Sequence, residues 1–206
     1  MEKVNKLIQK RKLFKIRNYY ILMKLLIPFI FLITLIIVSC SAETPEQEIQ
    51  KDIEMVGGIV TMKLTSPSFE NNQEIPSEFT CDGPNILPEL NIEETPENTK
   101  SLALIMDDPD APGGTWVHWV VWNIPPKTNV IQKGTEPQGI QGKTSFGRFE
   151  YGGPCPPSGT HRYFFKLYAL DATLDLKEGS DKTALEQAMD GHIIESSELI
   201  GNYKRE

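Results

Sequence analysis

Asp107-Asp108-Pro109-Asp110-Ala111-Pro112-Gly113-Gly114-Thr115-Trp116-Val117-His118-Trp119-Val120-Val121-Trp122-Asn123 runs from a stiff acidic loop into a stretch of β-branched and aromatic residues. Prolines fix the loop backbone, and the Gly-Gly pair turns it. The aromatic stretch through Ile124 has the composition of a strand. Alternation places Trp116, His118, Val120 and Trp122 on one face. Just before the loop, Ser101 to Met106 is an apolar run of strand length. Tyr163 to Leu170 repeats the β composition, with Tyr163, Phe165, Leu167 and Ala169 on one face. Ile59 to Leu64 and Leu90 to Ile92 read as further strands, and His192 to Tyr203 as extended chain. One clear helix is predicted over Lys182 to Asp190, with Ser180 or Asp181 as N-cap, Gly191 as stop, and a stripe of Ala184, Leu185, Ala188 and Met189. The reading is a mainly β fold with one or two short helices.

A second segment, Gly152-Gly153-Pro154-Cys155-Pro156-Pro157-Ser158-Gly159-Thr160-His161-Arg162-Tyr163, repeats the scheme of rigid loop followed by strand. Two of the three histidines lie in these two segments. Imidazole, carboxylate and backbone amides on stiff loops are the parts of a small polar pocket. Taken alone, His118 fits equally well as a core histidine bonded to a carbonyl, and His161 as a surface residue at a strand edge. Asp108 and Asp110, either side of Pro109, read as an Asx-turn or as carboxylates that orient an imidazole or a ligand ammonium group. Alternation separates Arg162 from His161 and Tyr163, which favours a structural ion pair within the sheet for it. The chain has no His-x-x-x-His pair or thiolate cluster for a metal, no Gly-x-Ser-x-Gly elbow and no Gly-x-x-x-x-Gly-Lys loop. Expected, then, are no enzyme activity, no metal and no cofactor.

Three motifs, Asp108-Pro109-Asp110-Ala111-Pro112, His118-Trp119 and Gly159-Thr160-His161-Arg162-Tyr163, resemble those of the phosphatidylethanolamine-binding proteins. Phe79-Thr80-Cys81-Asp82-Gly83 and Gly153-Pro154-Cys155-Pro156-Pro157 point to the prokaryotic Raf-kinase-inhibitor-like branch. The resemblance runs from about Met62 to Lys204. It implies a Greek-key β-sandwich with a pocket at one edge. It also implies that Asp108, Asp110, Trp116, His118, Gly153, Pro156, Pro157, His161 and Tyr163 bind a ligand. Gly153, Pro156 and Pro157 would shape the rim, Trp116 would form an apolar wall, and Tyr163 would offer a hydroxyl. The ligand implied is a small anion or phosphorylated headgroup, and the alternative is a protein-docking inhibitor or modulator of a hydrolase or kinase. A protein partner and a homodimer both stay open.

Residues 1–39 differ from the remainder. Eight basic residues and one acid occur there, and the apolar run Leu25 to Val38 follows a basic front. At 14 residues the run is short for a membrane span, which needs roughly 20. It reads as a secretory signal, with an uncleaved signal anchor as the alternative and Met23 as a second candidate start. Ile37-Val38-Ser39-Cys40 resembles a lipobox, which would make Cys40 the lipidated first mature residue and the membrane link. The expected organisation is a signal peptide over 1–39, a flexible tether over 40–57 and a binding domain over 58–206, in a lipoprotein of the cell envelope facing outside the cytoplasm. Without residues 1–39, 13 bases face 27 acids, a formal charge of −14 against −7 for the whole chain. Such a surface repels phosphate backbones, so nucleic acid is excluded as a partner. With Cys40 lipidated, Cys81 and Cys155 remain. In an oxidising compartment they form a disulfide worth about 3–4 kcal/mol in the chain-entropy model, the alternative being two free thiols.

Overall fold

The β-rich stretches of the sequence pair with one another at the centre of the structure. A computed structural model describes residues 61–205. The expected signal peptide, Cys40 and the tether lie outside the described residues. Nine strands and one α-helix follow in the order β1 (Lys63–Thr65), β2 (Gln73–Glu74), β3 (Leu90–Glu93), β4 (Ser101–Asp108), β5 (Trp116–Ile124), β6 (Val130–Ile131), β7 (Ile140–Gln141), β8 (Thr160–Leu170), α1 (Lys182–Met189) and β9 (Ile193–Lys204). The fold is mainly β, in two sheets.

The larger sheet has the order β2-β9-β8-β4-β5-β7, and the smaller β1-β3-β6. Every pairing is antiparallel except that of β2 with β9. Leu102, Leu104 and Met106 of β4 point to the same side as Phe165 and Leu167 of β8 and meet Leu64, Leu90 and Ile92 of the smaller sheet in one apolar core. The intervening residues Ala103 and Ile105, with Val120 and Trp122 of β5, face the other way and are covered by Leu185 and Met189 of α1. That two-sided cover explains why β4 reads as a continuous apolar run and not as an alternating one. Each fully buried Leu or Met in these layers contributes about 1.5–3 kcal/mol relative to exposure.

The helix begins as expected: the Asp181 carboxylate accepts from the Ala184 amide at 2.9 Å and caps the first turn. The first strand starts later than expected, at Lys63, with Ile59 and Val60 outside the described residues. Upstream of it, the Met62 amide donates to the Glu195 side chain and not to a neighbouring backbone. The two cysteines are joined, with 5.4 Å between their Cα atoms. This disulfide ties the segment before β3 to the loop before β8.

Candidate functional site

The register of β4 against β5 builds the site. Ile105 pairs with Val120 and Met106 with Trp119, yet the next residue, Asp107, pairs with Val117. His118 is the extra residue of a β-bulge, and a bulge turns its side chain away from strict alternation. The face shared by Trp116, His118, Val120 and Trp122 in the sequence reading is broken here. Val120 and Trp122 pack beneath α1, whereas the His118 ring stands edge-on to Tyr163, 5.1 Å between centroids. Tyr163 belongs to the opposite core.

His118 is 3 % exposed, and its Nδ1 lies 2.6 Å from the Gly152 carbonyl oxygen. A carbonyl only accepts, so Nδ1 carries the hydrogen and Nε2 is left as an acceptor. The Gly152 amide in turn donates to the His118 carbonyl at 3.1 Å, locking the loop before β8 onto β5. Burial pushes the His118 pKa below its ordinary value; the Gly152 bond and the Asp108 charge oppose this without overcoming it.

Asp108 closes β4 beside this ring and is 3 % exposed. One carboxylate oxygen accepts the Asp110 amide at 2.8 Å, an Asx-turn across Pro109; the other accepts from Nδ1 of His161 at 2.7 Å. The Asx-turn and the imidazole-orienting role considered for Asp108 thus coexist in one residue. Tyr163 is fully buried, and its hydroxyl has no hydrogen-bond partner among the described residues. The Cys155 amide is close enough to pull its pKa down, though not in bonding geometry; burial first and the Asp108 charge second raise it.

A cavity of about 380 Å³ opens in front of these groups. Of the residues expected to bind ligand, Asp108, Trp116, His118 and Pro157 line it. His161 and Tyr163 back it through Asp108 and His118. Gly153 and Pro156 are buried behind the rim, where the Gly153 amide donates to Asn85 Oδ1 at 2.9 Å. A Cβ on Gly153 would stand 2.1 Å from the Phe79 carbonyl oxygen, so only glycine fits. Asp110 does not line the cavity. Both its oxygens are held by Arg162, from Nε at 2.9 Å and Nη2 at 2.8 Å, and these bonds lower its pKa to about 2. Arg162 is therefore in an ion pair, as its position opposite His161 suggested, and the partner is a loop residue.

Sequence reasoning missed Phe146 and Thr115 in the lining, which also takes in Ala111, Pro112, Gly113, Gly114 and Cys155. Phe146 packs edge-on against both Trp116 and His118, at 5.4 and 5.3 Å, and Gly152 lets its ring approach. A single phenylalanine in a turn of Ser, Gly and Arg gives no hint of where the turn folds. Asp107 also had no assigned role. It is fully buried and paired with Lys166 and Lys182, which braces β4, β8 and α1 directly behind the site. Among the described residues no group of three or more His, Cys, Asp or Glu is placed to hold a metal.

Known proteins share this sequence and fold. A profile of the family described as Phosphatidylethanolamine-binding protein matches residues 65–204. A UPF0098 protein of Pyrococcus horikoshii is 51% identical over 160 residues, spanning 72% of this chain and 80% of its own. A UPF0098 protein of Methanothermobacter thermautotrophicus is 50% identical over 150 residues, spanning 70% and 99%. Among solved structures, a phosphatidylethanolamine-binding protein homologue of Chlamydia trachomatis superposes with a TM-score of 0.69 at 41% identity, covering 71% of this chain and 99% of that one. Escherichia coli YbcL, a member of the mammalian family, gives 0.66 at 30% identity, covering 71% and 100%. The profile runs from the last residue of β1 to the end of β9 and covers every residue of the cavity, and the chain belongs to the phosphatidylethanolamine-binding protein family.

Proposed function

We propose that this protein is a non-catalytic binding protein whose cavity takes a small oxyanion or phosphorylated headgroup, and that it is exported and anchored in the cell envelope through lipidated Cys40. One observation carries the ligand reading: His118 and Asp108, each 3 % exposed, both line a cavity of about 380 Å³, with only one ring nitrogen of His118 committed to the Gly152 carbonyl. The set holds a ligand without an evident route to turnover. His118 spends one nitrogen on a backbone carbonyl, His161 spends one on Asp108, and among the described residues neither is hydrogen-bonded to a serine, threonine or cysteine that it would activate. Titration with phosphate, phosphoethanolamine and acetate at millimolar concentrations tests it, read through the backbone amide resonances of the cavity loops and the Trp116 indole. Shifts that saturate and disappear in His118→Gln are expected; no shift with any of the three would overturn the reading. For the anchor, labelled fatty acid should be incorporated into the wild-type chain and not into Cys40→Ser.

Trp116 and Phe146, 40% and 38% exposed at the cavity mouth, favour protein docking as a second reading. A partner recovered from envelope extracts by the wild type, and lost with Phe146→Ser while phosphate binding persists, would favour docking over ligand storage.

A further inference from the structure

We propose that the cavity selects an oxyanion that brings its own hydrogen, a phosphate monoester in its monoanionic form, over a sulfate ester or a phosphate dianion. The inference rests on the oxyanion reading above and narrows it to one protonation state.

The side chains with polar atoms lining the cavity are Asp108, Thr115, Trp116 and His118, and among the described residues no lysine or arginine lines it. His118 has its Nδ1 hydrogen engaged by Gly152, so the ring nitrogen free to meet a ligand has a lone pair. Asp108 is likewise an acceptor, holding the Asp110 amide and the His161 ring and keeping lone pairs to spare. Both groups want a donor. An oxyanion with no hydrogen would set lone pair against lone pair at His118 and negative charge against Asp108, with no cationic side chain in the lining to offset either.

The surrounding charges do not change this. On β4, Asp107 is paired with Lys166 and Lys182, and beyond the strand Asp110 is paired with Arg162. On β8, His161 gives its Nδ1 hydrogen to Asp108, and the Tyr163 hydroxyl is buried behind the lining. The cystine at Cys155 does not titrate. A P–O–H group resolves the mismatch: its hydrogen goes to Nε2 of His118, and its remaining charge falls to −1. Whether the hydrogen ends nearer nitrogen or oxygen, the complex contains it. A sulfate ester has none to bring, and must recruit a proton to an imidazole that burial makes a poor base.

Methyl phosphate and methyl sulfate at pH 5 test the inference on the purified full-length protein by calorimetry. Both then have one negative charge and nearly the same shape, and they differ by one hydrogen, since the second ionisation of a phosphate monoester lies at about 6. Methyl phosphate should bind at least about tenfold more tightly, the weight of one buried hydrogen bond to an otherwise orphaned acceptor. Its affinity should decline as the pH passes 6 toward 8. In His118→Gln, whose amide can also donate, the two ligands should come within about threefold. Equal affinities at pH 5 in the wild type would overturn the inference and leave the oxyanion site standing. Failure of both ligands to bind would overturn the oxyanion reading itself. Ethanolamine alone binding in the cavity would show that the two acceptors serve an ammonium group, and would also overturn the inference. The wild-type comparison does not depend on the variant's folding.

Discussion

Replacing both Cys81 and Cys155 by serine should destabilise the fold strongly while leaving the cavity nearly intact. The two residues are 74 apart in sequence, and releasing a loop of that length restores chain entropy to the unfolded state worth about 4 kcal/mol. At 2–4 °C per kcal/mol for a chain of this size, the melting temperature should drop by roughly 8–16 °C. The cavity rim has other attachments. The Cys81 amide donates to the Pro154 carbonyl at 3.0 Å, Gly153 to Asn85 at 2.9 Å, Gly152 to His118 at 3.1 Å, and the Tyr151 hydroxyl to the Phe79 carbonyl at 3.0 Å. These four bonds hold the loop in the folded state whether or not the sulfurs are joined. Phosphate affinity in the double variant should therefore stay within about threefold of wild type, less than the factor of ten that 1.4 kcal/mol represents. Scanning calorimetry and a phosphate titration on the same two preparations check both parts. A melting temperature lowered by less than about 3 °C would refute the chain-entropy argument. Affinity falling more than tenfold at a temperature where the variant is fully folded would show that the disulfide shapes the rim.

Three further outcomes follow from the same geometry. Burial lowers the His118 pKa below 6.5, so the unfolded chain takes up the proton first; this residue's contribution to stability is complete above pH 6.5 and is lost as pH falls below it. The His118→Gln variant should lose less stability between pH 7 and pH 5 than wild type in urea unfolding, and an identical loss would refute the assignment. Asp107→Asn leaves Lys166 and Lys182 short of a carboxylate; with both lysines partly exposed the cost should be about 2 kcal/mol, measurable by denaturant unfolding. Gly153→Ala drives a methyl group toward the Phe79 carbonyl, and should cost about 1–3 kcal/mol and weaken phosphate binding as the rim shifts; unchanged affinity would separate the rim from the site.

The long strands and the helix were legible because each has a local cause. The apolar run that became β4, the aromatic and β-branched stretches of β5 and β8, and the Asp181 cap with Gly191 beyond the helix are signals within a few residues of one another. The two-residue strands β2, β6 and β7 were not legible. They exist because a loop happens to pass a sheet edge, as Val130–Ile131 does beside β3, and nothing within two residues encodes that. The bulge at His118 was hidden for a related reason. Strict alternation is a property of one strand, whereas a bulge is a property of the register between two.

By itself the sequence determined the family, the β character and the two loop-and-strand segments that contribute most of the pocket, since each is written in ordered motifs; the joining of Cys81 to Cys155 was decided by the fold. Tertiary structure alone decided which carboxylate does what. Asp107, Asp108 and Asp110 are near neighbours in sequence, yet one braces α1 through Lys182, one orients His161, and one is held by Arg162. Structure also decided that His118 presents an acceptor to the cavity, because the Gly152 carbonyl, 34 residues along the chain, takes the hydrogen from its other nitrogen. A side chain's type is local information; the state in which it meets a ligand depends on what distant backbone is folded against it.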